Sequence, residues 1–476
     1  MRAIADPSNA LGRGLASIRS QFQVPETFPP AVLAAAEKAS RRAPAEHVDR
    51  TSWPFVTLDP ASSTDLDQAF AIESDGADLL LRYAIADVAW FVEDGDAIDQ
   101  EAWRRGTTQY LPDGKAGLYP QVLSEGAASL LPDGPRPAVI FTVRIKEDGA
   151  VRLDGAERAI VRSRAKLAYD TVRSSDLPPG FAELARRIQS AEARRGAARV
   201  NPPAQELAAI GDGRYELLFR PPLESEVHNA SLSLATNLAI ADLLQAHHTG
   251  LFRIMAEPDE RAVARLRHAA KGLGLTWPAK APLAELERSL DPADPRQATF
   301  MLAIQRAGQG ASYIPFRKGE TPWHSAVAAT YAHATAPLRR LADRYVVRAA
   351  LAIANGRPVP PAVADAFERL PKVMARADAL GARIERAAID LAEAVLLAGR
   401  EGETFQAVAT EVDERGVRIQ LCELPVMARV AAEGVKAGES LKVALVEANP
   451  ELRTITFSPG DRHRQAGKGR TPPPAS

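Results

Sequence analysis

Three aspartates, Asp59, Asp65 and Asp67, lie within nine positions in the run Leu58-Asp59-Pro60-Ala61-Ser62-Ser63-Thr64-Asp65-Leu66-Asp67-Gln68-Ala69. Clustered carboxylates repel one another unless a cation stands between them, and oxygen-only donors of this kind suit magnesium or manganese. Gln68 could add a neutral carbonyl oxygen to the set. Two such ions can activate water, clamp a phosphodiester and stabilise its leaving oxygen. The structural alternative is a solvated acidic turn, with Asp59 or Asp65 capping a helix. Far along the chain, Pro337-Leu338-Arg339-Arg340 reads as the opening of a helix, with both arginines in its first turn. The positive helix end and two guanidinium groups would then form an anion site. Arg339 is the candidate to clamp a scissile phosphate and stabilise its transition-state charge. The alternative for the pair is two exposed arginines on a surface helix.

These residues need a scaffold. A strand-like run at 55–58 leads into the acidic loop, and residues 68–73 and 78–85 read as a hairpin turning at Asp75-Gly76. A second hairpin joins 138–145 to 151–161 through Asp148-Gly149. From about residue 166 the pattern becomes mostly helical, with long amphipathic stretches at 223–248, 258–273, 295–308, 337–354 and 362–399. Past Gly402 it changes again. Five short strands, at 404–412, 417–421, 426–430, 440–446 and 453–457, suit a small OB-type barrel. Residues 1–48 read as a helical, alanine-rich lead-in, and 461–476 as a disordered basic tail.

The segment Asp59-Pro60-(x)4-Asp65-Leu66-Asp67-Gln68-Ala69 resembles the signature of the RNB catalytic domain of ribonuclease II/R enzymes. That signature carries four aspartates; here Gln68 stands at the fourth. Tyr331-Ala332-His333-Ala334-Thr335-Ala336-Pro337-Leu338-Arg339-Arg340-Leu341-Ala342-Asp343 resembles the family's second motif, with Ala336 and Leu341 in place of the usual Ser and Tyr. Such a departure marks a divergent subgroup. Tyr83-Ala84-Ile85-Ala86-Asp87-Val88-Ala89 is similar to a family segment beside the active site, with Trp90 where many relatives have His. Tyr110, in Tyr110-Leu111-Pro112, matches a tyrosine that packs on the last RNA bases. Arg162, Arg164 and Lys166 lie in a segment whose cations could touch phosphates, and Glu385-Arg386 matches an acidic-basic pair. His228-Asn229 stands where common relatives have acidic residues, and no role is assigned to it.

The resemblance covers roughly residues 49–400 and, less specifically, 403–460. It implies an α+β catalytic domain, a mixed sheet surrounded by helices, followed by the OB-fold barrel. It implies a metal-dependent 3′→5′ exoribonuclease that hydrolyses single-stranded RNA to nucleoside 5′-monophosphates. Asp67, Asp65 and Arg339 would take part in the chemistry. Asp59, Asp65, Asp67 and Gln68 would hold magnesium or manganese. Tyr110, Arg340, Lys166, Arg164 and Glu385 would contact RNA. The cold-shock barrels that many relatives carry at the N-terminus are not seen, since residues 1–48 are too short for one.

Composition is consistent with this but does not point to it. The 476 residues are 46% hydrophobic and 25% charged, ordinary values for a globular chain of two or three domains. The net charge of −1 gives no global sign of a nucleic-acid partner, so an RNA binder must carry a local basic channel. A single cysteine, Cys422, rules out an intrachain disulfide, and no apolar run is long enough to span a bilayer. A cytoplasmic monomer is the expectation. Two other functions compete. Asp65-Leu66-Asp67 superficially matches the nucleophile loop of haloacid-dehalogenase phosphatases, but Ser-Ser-Thr precedes it where that loop needs an apolar strand. Gln68 keeps open an RNA-binding protein on the same scaffold that does not hydrolyse.

Overall fold

A computed structural model describes residues 4–460, apart from 7, 198–203, 212, 293, 309 and 414. The basic tail expected at 461–476 lies outside the described residues. Two lead-in helices come first, α1 (Ala10–Gln21) and α2 (Pro30–Ser40), the second opened by Pro30 at its first position. The central sheet follows, with strands β1 (Val48–Asp49), β2 (Val56–Asp59), β3 (Gln68–Asp75) and β4 (Asp78–Ala86). After α3 (Val88–Phe91) and α4 (Ala97–Arg105), a small hairpin of β5 (Gln109–Leu111) and β6 (Gly114–Ala116) stands apart from that sheet. Strands β7 (Arg136–Ile145), β8 (Val151–Val161) and β9 (Ala165–Ala168) complete it, in the order β1-β8-β7-β4-β3-β2-β9. The β1–β8 and β2–β9 pairs are parallel and the rest antiparallel, so the sheet is mixed. Both expected hairpins are present in register, Asp75 opposite Asp78 and Ile145 opposite Val151.

The stretch after residue 166 is less uniformly helical than its pattern suggests. Following α5 (Phe181–Arg195), the chain forms a hairpin of β10 (Ala204–Gly211) and β11 (Arg214–Arg220). Gly211 and Gly213 both take positive φ at its turn, a conformation glycine adopts without a Cβ clash. Helix α6 (Glu224–Ala246) is the buried central helix. Then come β12 (Leu251–Met255), α7 (Glu260–Gly272), α8 (Leu283–Arg288), α9 (Pro295–Ala307), β13 (Ala311–Pro315), β14 (Trp323–His324) and β15 (Ala329–Thr330). The strands of this group form a four-stranded sheet. Helices α10 (Leu341–Ala354) and α11 (Pro361–Leu397) close the domain.

The main core lies between the seven-stranded sheet and the helices α2, α5, α6 and α10, around Phe70, Tyr83, Phe141, Leu232 and Val346. A second core fastens α1 to α11 through Leu15, Ile18, Ile384 and Leu391. Beyond α11, β16 (Thr404–Asp413), β17 (Gly416–Leu421), β18 (Met427–Val430), β19 (Ser440–Asn449) and β20 (Thr454–Pro459) form one sheet in the order β18-β17-β16-β19-β20. Strands β18 and β20 approach each other, so the sheet nearly closes around Phe405, Ile419, Val443 and Phe457. The five expected strands are those observed, and the OB-type barrel is correct.

Glu393, buried near the end of α11, joins three units. Its Oε1 accepts from the Met427 amide at 2.8 Å and from Gln205 Nε2 at 2.6 Å, linking α11 to the barrel and to the β10–β11 hairpin. Burial pushes its carboxyl up from the ordinary 4.5 to about 7. Between those values the folded chain keeps a proton that the unfolded chain releases, so this group's contribution to stability falls as pH rises and is lost above about 7. Glu393→Gln keeps both accepted hydrogen bonds without the charge. The variant should match the wild type at pH 4 and exceed it by roughly 2–3 kcal/mol at pH 8. Urea denaturation at both pH values measures this. A variant less stable than wild type at pH 8 would show that the fold needs the ionised carboxylate.

Candidate active site

Asp59 is the last residue of β2. The strand end is held by the neighbouring β9 and by α6: Tyr169 N donates to Asp59 O at 3.2 Å, and Asn229 Nδ2 donates to Leu58 O at 3.2 Å and to the Tyr169 hydroxyl at 2.8 Å. The acidic loop then turns at Pro60–Ser63 and is braced from outside its own sequence. Ser129 Oγ donates to Thr64 O at 2.7 Å and accepts from Leu66 N at 2.9 Å, while Leu130 N donates to Leu66 O. Lys166 Nζ donates to Ala61 O at 2.9 Å. A loop anchored this way places its carboxylates with the precision of a strand.

The two motifs meet at Asp67. Its Oδ1 accepts from Leu338 N at 2.7 Å, and its Oδ2 lies 3.4 Å from Arg339 Nε. Asp67 Oδ2 and Asp59 Oδ2 are both buried without a hydrogen-bond partner. Burial pushes each carboxyl up to about 7, against the opposing pull of Arg339 and with Asp65 adding to the rise. Two desolvated carboxylate oxygens without hydrogen-bond donors, one of them facing only Arg339, are costly unless a further cation meets them. Asp59 and Asp67 therefore fit a divalent ion. The other two expected ligands are differently engaged. Asp65 Oδ1 accepts from Lys115 Nζ at 2.7 Å, and its Oδ2 from the Tyr110 hydroxyl at 3.4 Å. Gln68 Oε1 accepts from the Tyr83 hydroxyl. Among the described residues, no three carboxylate, imidazole or thiolate groups form a ready-made metal cage.

The arginine motif departs from the expected helix opening. Pro337 starts a turn, in which Ala336 O accepts from Arg339 N and Arg340 N, and α10 begins only at Leu341. Arg340 is extended and bridges to Thr107, while Thr108 N donates to Arg339 O at 3.0 Å. Leu341 N donates to the carbonyl of Gly106, whose φ of 76° leaves no room for a side chain because a Cβ would come within 2.8 Å of Ala377. Pairing with the 106–108 segment thus overrides the local helix signal. Arg340 is tied to Asp343 through Nε at 3.0 Å and Nη2 at 2.7 Å.

A cleft of about 820 Å³ leads here, walled by Tyr110, Arg253, Arg339, Arg340, Gln205 and Glu385. Tyr110 is 54% exposed, an available aromatic face. A second cleft of about 710 Å³, between α11 and the barrel, carries Arg386, Arg418, Arg429 and Arg453. Glu385 and Gln205 line both, so the two clefts adjoin.

Two expected residues lie elsewhere. Arg164 precedes β9, which runs parallel to β2 with Ala165 opposite Val56 and Ala168 opposite Asp59. It therefore sits at the far end of the strand pair from Asp59, donating to Ser52 O at 2.5 Å. Asp87 turns away into a buried contact with His47 at 3.2 Å and Arg158 at 2.9 Å. Four further residues enter the site: Lys115, Ser129, Asn229 and Asp343. Lys115 was legible, since Pro112-Asp113-Gly114 is a turn signal that sets it opposite Tyr110.

Residues 47–355 match the RNB domain, and residues 403–460 match the RNase II-type exonuclease C-terminal S1 domain. The first match spans more than half of the chain, and the protein belongs to the RNB-domain family. It is similar to ribonuclease R of Aquifex aeolicus, 26% identical over 435 residues, which are 85% of this chain and 61% of that protein. The chain thus spans about three-fifths of that relative's length. In fold it resembles Mycoplasma genitalium RNase R solved with ribose-methylated single-stranded RNA, with a TM-score of 0.84 at 19% identity, covering 96% of this chain and 79% of the other. It also resembles yeast Ssd1, described as a pseudonuclease, with a TM-score of 0.70 at 17% identity over 93% and 59% of the two chains.

Proposed function

We propose that the protein is a metal-dependent 3′→5′ exoribonuclease that hydrolyses single-stranded RNA to nucleoside 5′-monophosphates. The observation that carries this reading is the meeting of Asp67 and nearby Asp59 with Arg339, which itself lines the cleft. Direction and product rest on the resemblance of both motifs to those of the ribonuclease II/R enzymes. The relative solved with single-stranded RNA supports the substrate class.

In this reading the terminal base stacks on Tyr110, which holds the strand without reading its sequence. The Arg339 guanidinium grips the scissile phosphate and stabilises the charge that develops on it. Asp59 and Asp67 hold a magnesium or manganese ion, which when bound supplies an activated water and neutralises phosphate charge. Arg340 keeps the arginine segment in place through Asp343, and Lys166 keeps the acidic loop in place through Ala61. Glu385 lies where the strand would pass from the barrel-side cleft to the catalytic one.

One observation favours a second reading, an RNA-binding protein without hydrolysis. Gln68 offers no charge, and its carbonyl oxygen is already taken by Tyr83. A denaturing-gel time course on 5′-labelled single-stranded RNA separates the two. Stepwise shortening from the 3′ end in magnesium, stopped by EDTA, is the expected result. RNA that stays intact while binding remains measurable would replace the nuclease with the binding protein.

A further inference from the structure

Lys115 is a cation built into the carboxylate cluster. It projects from the β5–β6 hairpin at the register position opposite Tyr110. Its ammonium contacts Asp65 Oδ1 at 2.7 Å and Glu125 Oε1 at 3.1 Å, while the Tyr110 phenol reaches the other Asp65 oxygen at 3.4 Å. Both oxygens of Asp65 are therefore engaged by donors. Gln68 is turned to Tyr83. Asp59, in contrast, keeps one buried oxygen without a hydrogen-bond partner, and the corresponding oxygen of Asp67 meets only the Arg339 guanidinium, at 3.4 Å. Of the four groups that could bind ions, two are ready and two are occupied.

Charge leads to the same conclusion. The carboxylates of Asp59, Asp65, Asp67 and Glu125 face the cations Arg339, Lys115 and Lys166. One divalent ion and one phosphodiester bring this set to neutrality.

We infer that Lys115 stands where a second divalent ion would otherwise be needed, so that the site holds one ion, on Asp59 and Asp67. Lys115 acts here as a positioning residue: it neutralises Asp65 and keeps it off the metal. The inference rests on the functional reading above, in which those two aspartates bind a metal.

The test is a manganese titration of the full chain without RNA, with free Mn²⁺ followed by electron paramagnetic resonance. The wild type should bind one Mn²⁺ per chain at sub-millimolar manganese. Lys115→Gln frees Asp65 and should bind two, whereas Lys115→Arg restores the cation and should bind one. Asp65→Asn should also leave the count at one, which keeps the test decisive if Lys115→Gln fails to fold. Two ions or none in the wild type, one in Lys115→Gln, two in Lys115→Arg, or a loss of binding in Asp65→Asn would each overturn the inference. A chain that binds one Mn²⁺ and leaves RNA intact would sink the nuclease reading and leave this one standing.

Discussion

Asp67→Asn should slow the shortening of single-stranded RNA by about three orders of magnitude, some 4 kcal/mol of transition-state stabilisation. The substitution is nearly isosteric. The asparagine carbonyl can still accept from Leu338 N, so the junction between the acidic loop and the arginine segment survives. What disappears is the charge on Oδ2, the oxygen that faces Arg339 and has no hydrogen-bond partner. In the proposed function, substrate binding would draw on Tyr110 and the cleft rather than on that oxygen. RNA affinity in EDTA should therefore stay within about threefold of wild type. The checks are a single-turnover cleavage rate and a filter-binding isotherm on the same strand. A variant that cleaves within tenfold of wild type would remove Asp67 from the chemistry.

The second large effect concerns stability. Asp343 is fully buried and accepts three hydrogen bonds, from Arg340 Nε, Arg340 Nη2 and the Ala336 amide at 2.8 Å. Asp343→Ala leaves a largely buried guanidinium and an amide without their acceptor. Breaking one half of a buried ion pair costs about 3–5 kcal/mol, because the remaining charge stays desolvated. Chemical denaturation should show a loss of that size, and Asp343→Asn, which keeps an acceptor, a smaller one. An Asp343→Ala protein within 1 kcal/mol of wild type would mean that water reaches Arg340 and replaces the carboxylate. Cleavage should suffer as well, since the backbone that Asp343 pins carries Arg339.

Much of this architecture was legible in the sequence, for reasons that differ between elements. The barrel strands showed their alternation because each buries one face against the barrel core, and α11 showed its period although its buried face runs across three cores; α6, expected to be amphipathic, is instead buried on all sides from Leu234 to Ala241. The β10–β11 hairpin was not legible. The run Ala204–Gly211 holds three alanines and a single β-branched residue, and of the described residues of this hairpin only Leu207 and Leu217 are buried in the α1–α11 core. Its strands exist through pairing with each other, which composition does not display. The arginine motif failed in the opposite sense. Its proline and arginines fit a helix start locally, but they form a turn, and pairing with Thr107 and Thr108 holds Arg340 extended so that the helix begins only after it. Arg164 was misplaced because the parallel register of β9 on β2 is a non-local fact. Asp59, Asp65 and Asp67 were found, but the engagement of Asp65 by Lys115 required the hairpin turn and the acidic loop to be considered together.

The backbone link between Thr107–Thr108 and Arg339–Arg340 has a mechanical consequence. The segment leading to Tyr110 and the segment bearing Arg339 are joined through their backbones, by Thr108 N to Arg339 O and by Leu341 N to Gly106 O. If the protein acts as proposed, that link would set the interval between the platform for the last base and the bond to be cut, and a strand would have to slide by a whole nucleotide before the next bond came into position, so the link would work as an escapement.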